Sequence, residues 1–206
     1  MKTELKKELL ACAFGITIGA LAVSLFNQSH IGHTHEHDDD SHGITQLDEF
    51  HIHTDFVIKV RDEILDLSAP EMMTTSKQQL HKSVHLHDEN GKVVHMHAPD
   101  ITFAEFLDSL SIELSNDCLV TSDDNEFCNS DTEKLTLLVN GEVYEGELIS
   151  YIPQDLDKVL IYYGDESESA IISDFGNVTD DSCFYSGLCP ERGIAPSENC
   201  GLTCEL

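Results

Sequence analysis

The chain is most constrained by residues 84–97, where apolar residues and histidines alternate on both sides of a short polar turn, VHLHDENGKVVHMH. Because successive side chains point to opposite faces of a strand, this pattern predicts two short paired strands. One face is apolar and consists of Val84, Leu86, Val94 and Met96. The other face carries two His-x-His pairs, His85 with His87 and His95 with His97.

The turn between these two strands decides whether the four histidines lie together. A type I turn followed by a glycine bulge, with Gly91 at positive φ, places His85 opposite His95. A two-residue Asn90-Gly91 turn would shift the pairing by one residue and separate the two histidine pairs onto opposite faces. We predict the first register, because it alone gives a consistent apolar side.

A second alternating segment, residues 50–60, precedes this hairpin and predicts a half-buried strand. His51 and His53 form a third His-x-His pair on the side that is predicted to face solvent. The chain then turns and is predicted to return as a short strand at residues 64–67. This hairpin would bring two further histidines near the first four.

The remainder of the predicted domain contains one helix and three strands. Thr102 and Glu105 form a capping box, and apolar residues at helical spacing continue to Leu110. Strands are predicted at residues 135–139, 143–144 and 158–163. These elements indicate the α+β class, with a mixed sheet and one helix packed on one of its faces.

The order of these elements resembles the β-grasp, or ubiquitin-like, fold over residues 84–164. The chain is similar there to small sulfur-carrier proteins, which share the Val139-Asn140-Gly141-Glu142 turn and an Asp-rich turn, here Asp155-Leu156-Asp157. Those carriers need a free C-terminal Gly-Gly, whereas this chain continues beyond Gly164. The resemblance therefore implies the fold and not the activity. It implies that the helix covers the apolar face, that the four histidines lie on an open face, and that residues 50–67 are an added hairpin.

The N-terminal part of the chain predicts a single membrane anchor. Residues 9–26 contain no charged residue and are just long enough to span a bilayer, and the preceding stub, residues 1–8, contains lysines. The positive-inside rule then places the rest of the chain outside the cytoplasm. A cleaved signal peptide is the alternative, because Ala20, Ala22 and Ser24 are small. The predicted location is the cell membrane, with one span and an extracytoplasmic domain.

Residues 27–46 predict a polar tether that is too poor in apolar residues to fold alone. It contains His30, His33, His35, His37 and His42. Histidine-rich tracts of this kind indicate loose metal collection, and a merely solvated linker is the alternative. Beyond the tether we predict the α+β domain at residues 47–172 and a Cys-rich segment at residues 173–206.

The soluble part also resembles uncharacterised archaeal membrane-anchored, His-rich proteins, some of which are labelled protein-disulfide isomerases. The matching motifs are His51-x-His53-x-Asp55-Phe56, His85-x-His87, His95-x-His97-Ala98 and Cys189-Pro190-Glu191-Arg192-Gly193. No active-site motif accompanies the resemblance, since the chain has no Cys-x-x-Cys pair of the kind that thiol-exchange enzymes use.

Acidic residues outnumber basic ones by 39 to 11, which gives a formal net charge of −28. Nucleic-acid backbones and anionic lipids would be repelled by such a chain, so neither is a predicted partner. Cations would be attracted. The same acidic excess could also serve only to keep the surface soluble.

Six of the seven cysteines lie outside the predicted anchor, and an even number beyond an oxidising boundary indicates disulfides. They are Cys118, Cys128, Cys183, Cys189, Cys200 and Cys204. The sequence does not fix their pairing, but local closure would join Cys118 to Cys128 and the last four among themselves. A closed loop of about 10 residues contributes roughly 2–3 kcal/mol in the chain-entropy model.

The grouped histidines predict a transition-metal site, because neutral imidazole is a good ligand for Zn²⁺ and Cu²⁺. The predicted ligands are His85, His87, His95 and His97, with His51 and His53 either completing that shell or forming a second site. A carboxylate, Asp55 or Asp88, would orient an imidazole from outside the shell. Zinc is the first choice of metal and copper the second.

The sequence therefore predicts a membrane-anchored protein that captures or buffers a divalent metal and could pass it to a transporter. Gly15-x-x-x-Gly19 in the anchor would allow a homodimer. One alternative is a disulfide-stabilised interaction module whose histidines are incidental or sense pH. A lesser alternative is a thiol-disulfide enzyme or a zinc enzyme with three histidines and an open water position. Enzymatic activity is not favoured, because no catalytic motif occurs.

Overall fold

A computed structural model of the chain describes residues 50–195. The predicted anchor, the tether with its five histidines, and Cys200 and Cys204 lie outside the described residues. Within residues 50–195, no helix combines the length and the apolar character needed to cross a bilayer.

The described part of the chain contains ten strands and three short α-helices. The strands are β1 Ile52–Val60, β2 Glu63–Ile64, β3 Val84–His85, β4 Val93–Met96, β5 Glu113–Leu114, β6 Cys118–Val120, β7 Glu126–Cys128, β8 Lys134–Val139, β9 Glu142–Val143 and β10 Lys158–Gly164. The helices are α1 Phe103–Ser109, α2 Glu168–Asp174 and α3 Ser182–Tyr185. Single 3-10 turns occur at Pro70–Met72, Leu148–Ser150, Phe175–Asn177 and Pro190–Arg192.

The main sheet is mixed and has seven strands, in the order β3-β4-β1-β10-β8-β9 with β2 paired to β1. Strand β1 runs parallel to β10 and antiparallel to β4. The predicted α+β class with a mixed sheet and few helices is confirmed. The predicted hairpin is present, since β2 pairs antiparallel with β1, but β2 spans only Glu63–Ile64. Its placement as an addition to the sheet is wrong, because β1 is a central strand of the main sheet. Eight of the nine residues of β1 are buried, and burial on both faces is typical of a central strand.

One face of the main sheet packs against α1. The predicted capping box is present, since Thr102 Oγ1 accepts the Glu105 backbone N–H and the Glu105 carboxylate accepts the Thr102 backbone N–H. The ring of Phe56 on β1 lies 5.6 Å from that of Phe103 and 5.3 Å from that of Phe106, measured between centroids. The predicted apolar face is in this core, with Val84, Leu86, Val94 and Met96 all buried.

The opposite face of the main sheet is covered by residues 165–195, which we call the cover. Ile171 and Val178 of the cover pack against Val57 and Leu160 in a second, smaller core. Helix α3 lies against β1. The prediction that this face stays open is therefore wrong.

The cover is held to β1 by a buried carboxylate, that of Asp55, which is 0% exposed. It accepts hydrogen bonds from the Thr179 hydroxyl and from the backbone N–H groups of Asp181 and Ser182. A buried charge of this kind is tolerated only when hydrogen bonds replace its water, and three donors from the cover do so here. Asp55 therefore fixes the cover to β1, and its predicted role in orienting a histidine stays a prediction.

A second polar attachment is made by Lys59, which donates to Asp174 and lies 3.6 Å from Glu166. The hydrogen bond to Asp174 raises the pKa of Lys59 above its ordinary 10.5. Because the pKa of Lys59 is higher in the folded than in the unfolded chain, its charge stabilises the fold fully at pH values below the unfolded pKa. This contribution is lost as pH rises through the folded pKa.

We expect the free energy of unfolding of Lys59→Met to fall less steeply than that of the wild type above about pH 10.5, as measured by urea unfolding. Exposed Lys77→Met is the control, and equal pH slopes in the Lys59 variant and the wild type would contradict the prediction.

Strands β5, β6 and β7 form a separate three-stranded sheet, which the sequence pattern did not predict. Cys118 and Cys128 lie opposite each other on β6 and β7 and form a disulfide, as local closure predicts. A second disulfide joins Cys183 to Cys189 within the cover.

The turn between β3 and β4 differs in detail from the predicted one. The positive φ angles belong to Asp88 and Glu89, at 54° and 58°, and not to Gly91. Position 91 requires glycine for a steric reason, because an added Cβ would lie 2.5 Å from the carbonyl carbon of Leu67. The predicted pairing of the strands is nevertheless present, with His85 opposite His95.

Candidate metal centre

Three adjacent strands, β3, β4 and β1, bring the predicted histidines onto one face of the main sheet. His85 pairs with His95, and His95 pairs with His53, so these three residues form a row across the strands. The register that pairs Ile52 with Met96 places His51 beside His97 in the next row. Their rings are stacked, with centroids 4.2 Å apart.

His87 completes the group, with its ring centroid 3.9 Å from that of His95. The six rings form a closed circuit in the order His87, His95, His53, His51, His97 and His85. Neighbouring centroids in the circuit are 3.9 to 5.9 Å apart. Two imidazoles on one tetrahedral Zn²⁺ have centroids roughly 5 Å apart, because Zn–N bonds are about 2.0–2.1 Å long. The spacing within this histidine cluster is therefore compatible with ligands to a shared metal.

Three members of the cluster bring their ring nitrogens close enough for one ion. One nitrogen from each of His51, His53 and His95 lies within 4.8 Å of the other two. His53 and His95 are buried, with 2% and 0% of their surface exposed, whereas His51 is exposed. Two of the three ligands are thus held by packing, and the third leaves the group open to solvent.

The ring of His53 is oriented by a hydrogen-bonded chain that includes Ser186 of the cover. Its Nδ1 lies 2.7 Å from the Ser186 hydroxyl, which donates to the Asp155 carboxylate at 2.7 Å. Because that hydroxyl gives its proton to Asp155, we assign it as the acceptor of the His53 Nδ1–H. This tautomer leaves Nε2 as the nitrogen that could bind a metal, an arrangement typical of histidine ligands. Asp155 also accepts the backbone N–H of His53 at 3.0 Å, which fixes the strand beneath the ring.

The ring of His87 has its own carboxylate partner. Its Nδ1 lies 2.8 Å from Oδ2 of Asp88, the next residue in the chain. An ionised carboxylate only accepts hydrogen bonds, so Nδ1 carries the proton and Nε2 is the nitrogen that could bind a metal. The predicted orienting role of Asp88 thus has a contact to support it.

The cover closes the cluster from above through Tyr185. Its ring centroid lies 5.7 Å from that of His53 and 5.2 Å from that of His95, and its hydroxyl accepts a hydrogen bond from the Asn90 side chain. The predicted exposure of the histidines is wrong for His85, His87 and His95, which are at most 1% exposed. An ion would enter beside His51 and His97, the members that are not buried.

Sequence reasoning did not find Asp155, Tyr185 or Ser186. Ser186 is separated from His53 by 133 positions, and no local pattern links a loop serine to a strand histidine at that distance. The Asp155-x-Asp157 turn was noted only for its likeness to carrier proteins.

The cluster does not have the arrangement of a nucleophilic triad. In a Ser-His-Asp triad the imidazole lies between the hydroxyl and the carboxylate, so that it can take the hydroxyl proton. Here the Ser186 hydroxyl lies between Asp155 and His53. Ser186 therefore holds a ring in place, and the geometry favours metal ligation over acyl transfer.

The predicted cysteine sites divide between the small sheet, the cover and the undescribed end of the chain. Cys118 and Cys128 belong to the small sheet, whereas Cys183 lies in α3, two residues before Tyr185. The disulfide Cys183–Cys189 thus closes a loop in the part of the cover that touches the histidine cluster.

Comparison with known proteins found no matching family model, no matching curated protein and no matching solved structure. The function of the chain must therefore be argued from the geometry of the site.

Proposed function

We propose that this protein captures a divalent transition-metal ion through His51, His53 and His95. The observation that carries the proposal is the approach of three imidazole nitrogens, one from each ring, to within 4.8 Å of one another. His53 and His95 lie on two adjacent strands and His51 immediately precedes β1, and the Ser186 hydroxyl holds the ring of His53 through its Nδ1. A site prepared in this way loses little conformational entropy when the ion binds.

The donor set favours zinc first and copper second. Imidazole suits Zn²⁺ and Cu²⁺, whereas Mg²⁺ and Ca²⁺ require mostly oxygen ligands. Three protein nitrogens leave a fourth coordination position on the ion open. A ligand from another protein could bind there, which is compatible with transfer of the metal. The net charge of −28 would raise the concentration of cations near the surface.

We further propose that the site is displayed outside a membrane on a β-grasp-like domain. The position of β1 between an antiparallel β4 and a parallel β10 supports that fold. The apolar residues 9–26 support a single anchor, which could also pair two copies of the chain. In that setting the tether histidines would collect metal beside the folded site, for buffering or for transfer to a transporter.

Calorimetric titration of the full-length chain with Zn²⁺ and Cu²⁺ tests the proposal. The protein should have its five tether histidines replaced by serine, so that only the folded part contributes. We expect binding at micromolar metal or below at pH 7.5. Failure of both metals to bind would overturn the proposal and favour the interaction module with incidental or pH-sensing histidines.

The affinity should also fall as the solution is acidified. An ordinary imidazole takes up its proton near pH 6.5, and the protonated ring cannot ligate a metal. Repeating the titration at several pH values should therefore give weaker binding below about pH 6, with protons released on binding at pH 6.5. Affinity that stays constant from about pH 5.5 to 7.5 would indicate carboxylate ligands and not this cluster.

A further inference from the structure

We propose that the histidine cluster holds a second metal ion, bound by His85, His87 and His97. This inference rests on the proposed function, because it extends the site at His51, His53 and His95 to a two-ion centre. The six imidazoles would divide into two groups of three, one on the β1 side of the cluster and one on the β3 side.

His85 has two ring neighbours near the spacing of shared ligands. The centroid of His85 lies 5.0 Å from that of His97 and 5.9 Å from that of His87. Both values are near the roughly 5 Å expected for two imidazoles on one tetrahedral ion. The centroid of His85 is 6.2 Å from that of His95, so His85 is closer to His87 and His97 than to this member of the other group. The centroid of His87 also lies 3.9 Å from that of His95, and the centroid of His97 lies 4.2 Å from that of His51, so the two groups form only if these rings turn away from those contacts.

Each group also has its own hydrogen-bonded orienting partner. On the β1 side the Ser186 hydroxyl, held by Asp155, fixes the ring of His53. On the β3 side the Asp88 carboxylate fixes the ring of His87. Orienting partners of this kind accompany individual metal ligands, so their presence at both ends of the cluster is compatible with an ion at each end.

The charge of the surroundings is compatible with two divalent ions. Imidazole ligands are neutral, so each ion brings its full charge into a largely buried site. Two carboxylates touch the histidines, Asp88 at the ring of His87 and Asp155 at the backbone of His53. Asp55 lies on the same strand as His53 and faces the same way, two residues further along. The net charge of −28 would compensate further.

The two positions should differ in affinity. The nitrogens of His51, His53 and His95 are already within 4.8 Å of one another, whereas the wider spacing of His85 and His87 requires the rings to move inward. Because prearranged ligands bind more tightly than those that must rearrange, the β1-side position should fill first. The β3-side position should fill at a higher metal concentration.

Metal stoichiometry tests the inference on the full-length chain with the tether histidines replaced by serine. Equilibrium dialysis against Zn²⁺, with millimolar Mg²⁺ to occupy acidic surface groups, should give two zinc ions per chain and two calorimetric steps. His85→Asn with His87→Asn should remove the weaker step and leave one ion. His97→Asn, at a half-buried position that tolerates change better, should weaken the same step by at least 10-fold and leave the tighter step unchanged.

Each outcome decides between the proposals. Two ions, of which one is lost in the His85 and His87 variant, support the two-ion centre. One ion that is unaffected by that variant and by His97→Asn overturns the second site and leaves the first intact. If the protein binds one zinc ion, and replacing either His97 or His53 abolishes its binding equally, then all six histidines share a single metal position. That result also overturns the inference. No bound zinc in the unaltered cluster would overturn both the second site and the proposed function.

Discussion

Replacing His53 and His95 together by asparagine should lower the affinity of the tighter zinc-binding step by more than about 100-fold. Loss of an orienting partner alone typically costs about 10–100-fold in metal affinity, and this variant removes two of three ligands. Asparagine is chosen because it is polar and similar in size to the ring it replaces. Zinc titration in the background without tether histidines measures the effect.

His81→Gln is the matched control for this variant. His81 is a histidine outside the cluster, and its Nδ1 accepts the backbone N–H of Ser83. Its replacement should leave the affinity within about twofold of the unaltered protein, and near-ultraviolet circular dichroism should show that both variants keep their tertiary packing. Unchanged zinc affinity in the His53 and His95 variant, with the fold intact, would place the metal elsewhere on this acidic chain.

The predictable part of this site follows from rules that act over a few residues. The pairing of His85 with His95 follows from alternation along the strands and from the short connection between them. The same alternation correctly separates Val84 and Met96 from the histidines, and the capping box correctly marks the start of α1. In each of these cases the residues that determine the structure are near one another in the sequence.

The position of β1 was predicted less well, because sheet order depends on pairing between distant segments. Residues 61–92 separate β1 from β4, and alternation in β1 does not reveal which strand it will join. Pairing with β4 is what brings His53 beside His95, at a centroid distance of 4.6 Å. The three-histidine group could therefore be suspected from the sequence, but its membership could not be fixed.

The cover was missed because polar contacts attach it. Apolar periodicity is the main signal of packing in a sequence, and the cover contributes little of it beyond Ile171 and Val178. Its attachment depends instead on Asp55, which as a single acidic residue in a strand looks like any solvent-facing position. A buried aspartate can be recognised only when the donors that surround it are known.

Asp55→Ala should have the largest effect on stability of any single change to this face, about 3–5 kcal/mol in the free energy of unfolding. The carboxylate is fully buried, and its removal leaves the Thr179 hydroxyl and two backbone N–H groups without an acceptor. A buried polar group in that state costs about 1–3 kcal/mol. Urea unfolding at pH 7, compared with the exposed-site control Asp165→Ala, measures the difference.

Detachment of the cover sets an upper limit to this loss, because the three donors regain water once the segment lifts from β1. Amide hydrogen exchange then shows whether the cover detaches or stays in place with its three donors unpaired. If the cover lifts, the amides of Asp181 and Ser182 should lose protection in Asp55→Ala while those of β10 keep it. Lifting would also withdraw Ser186 from His53, so zinc affinity should fall by about 10–100-fold although no ligand has been changed. Full zinc affinity in a variant whose cover amides exchange freely would mean that the cover only shields the histidine cluster and takes no part in preparing it for the metal.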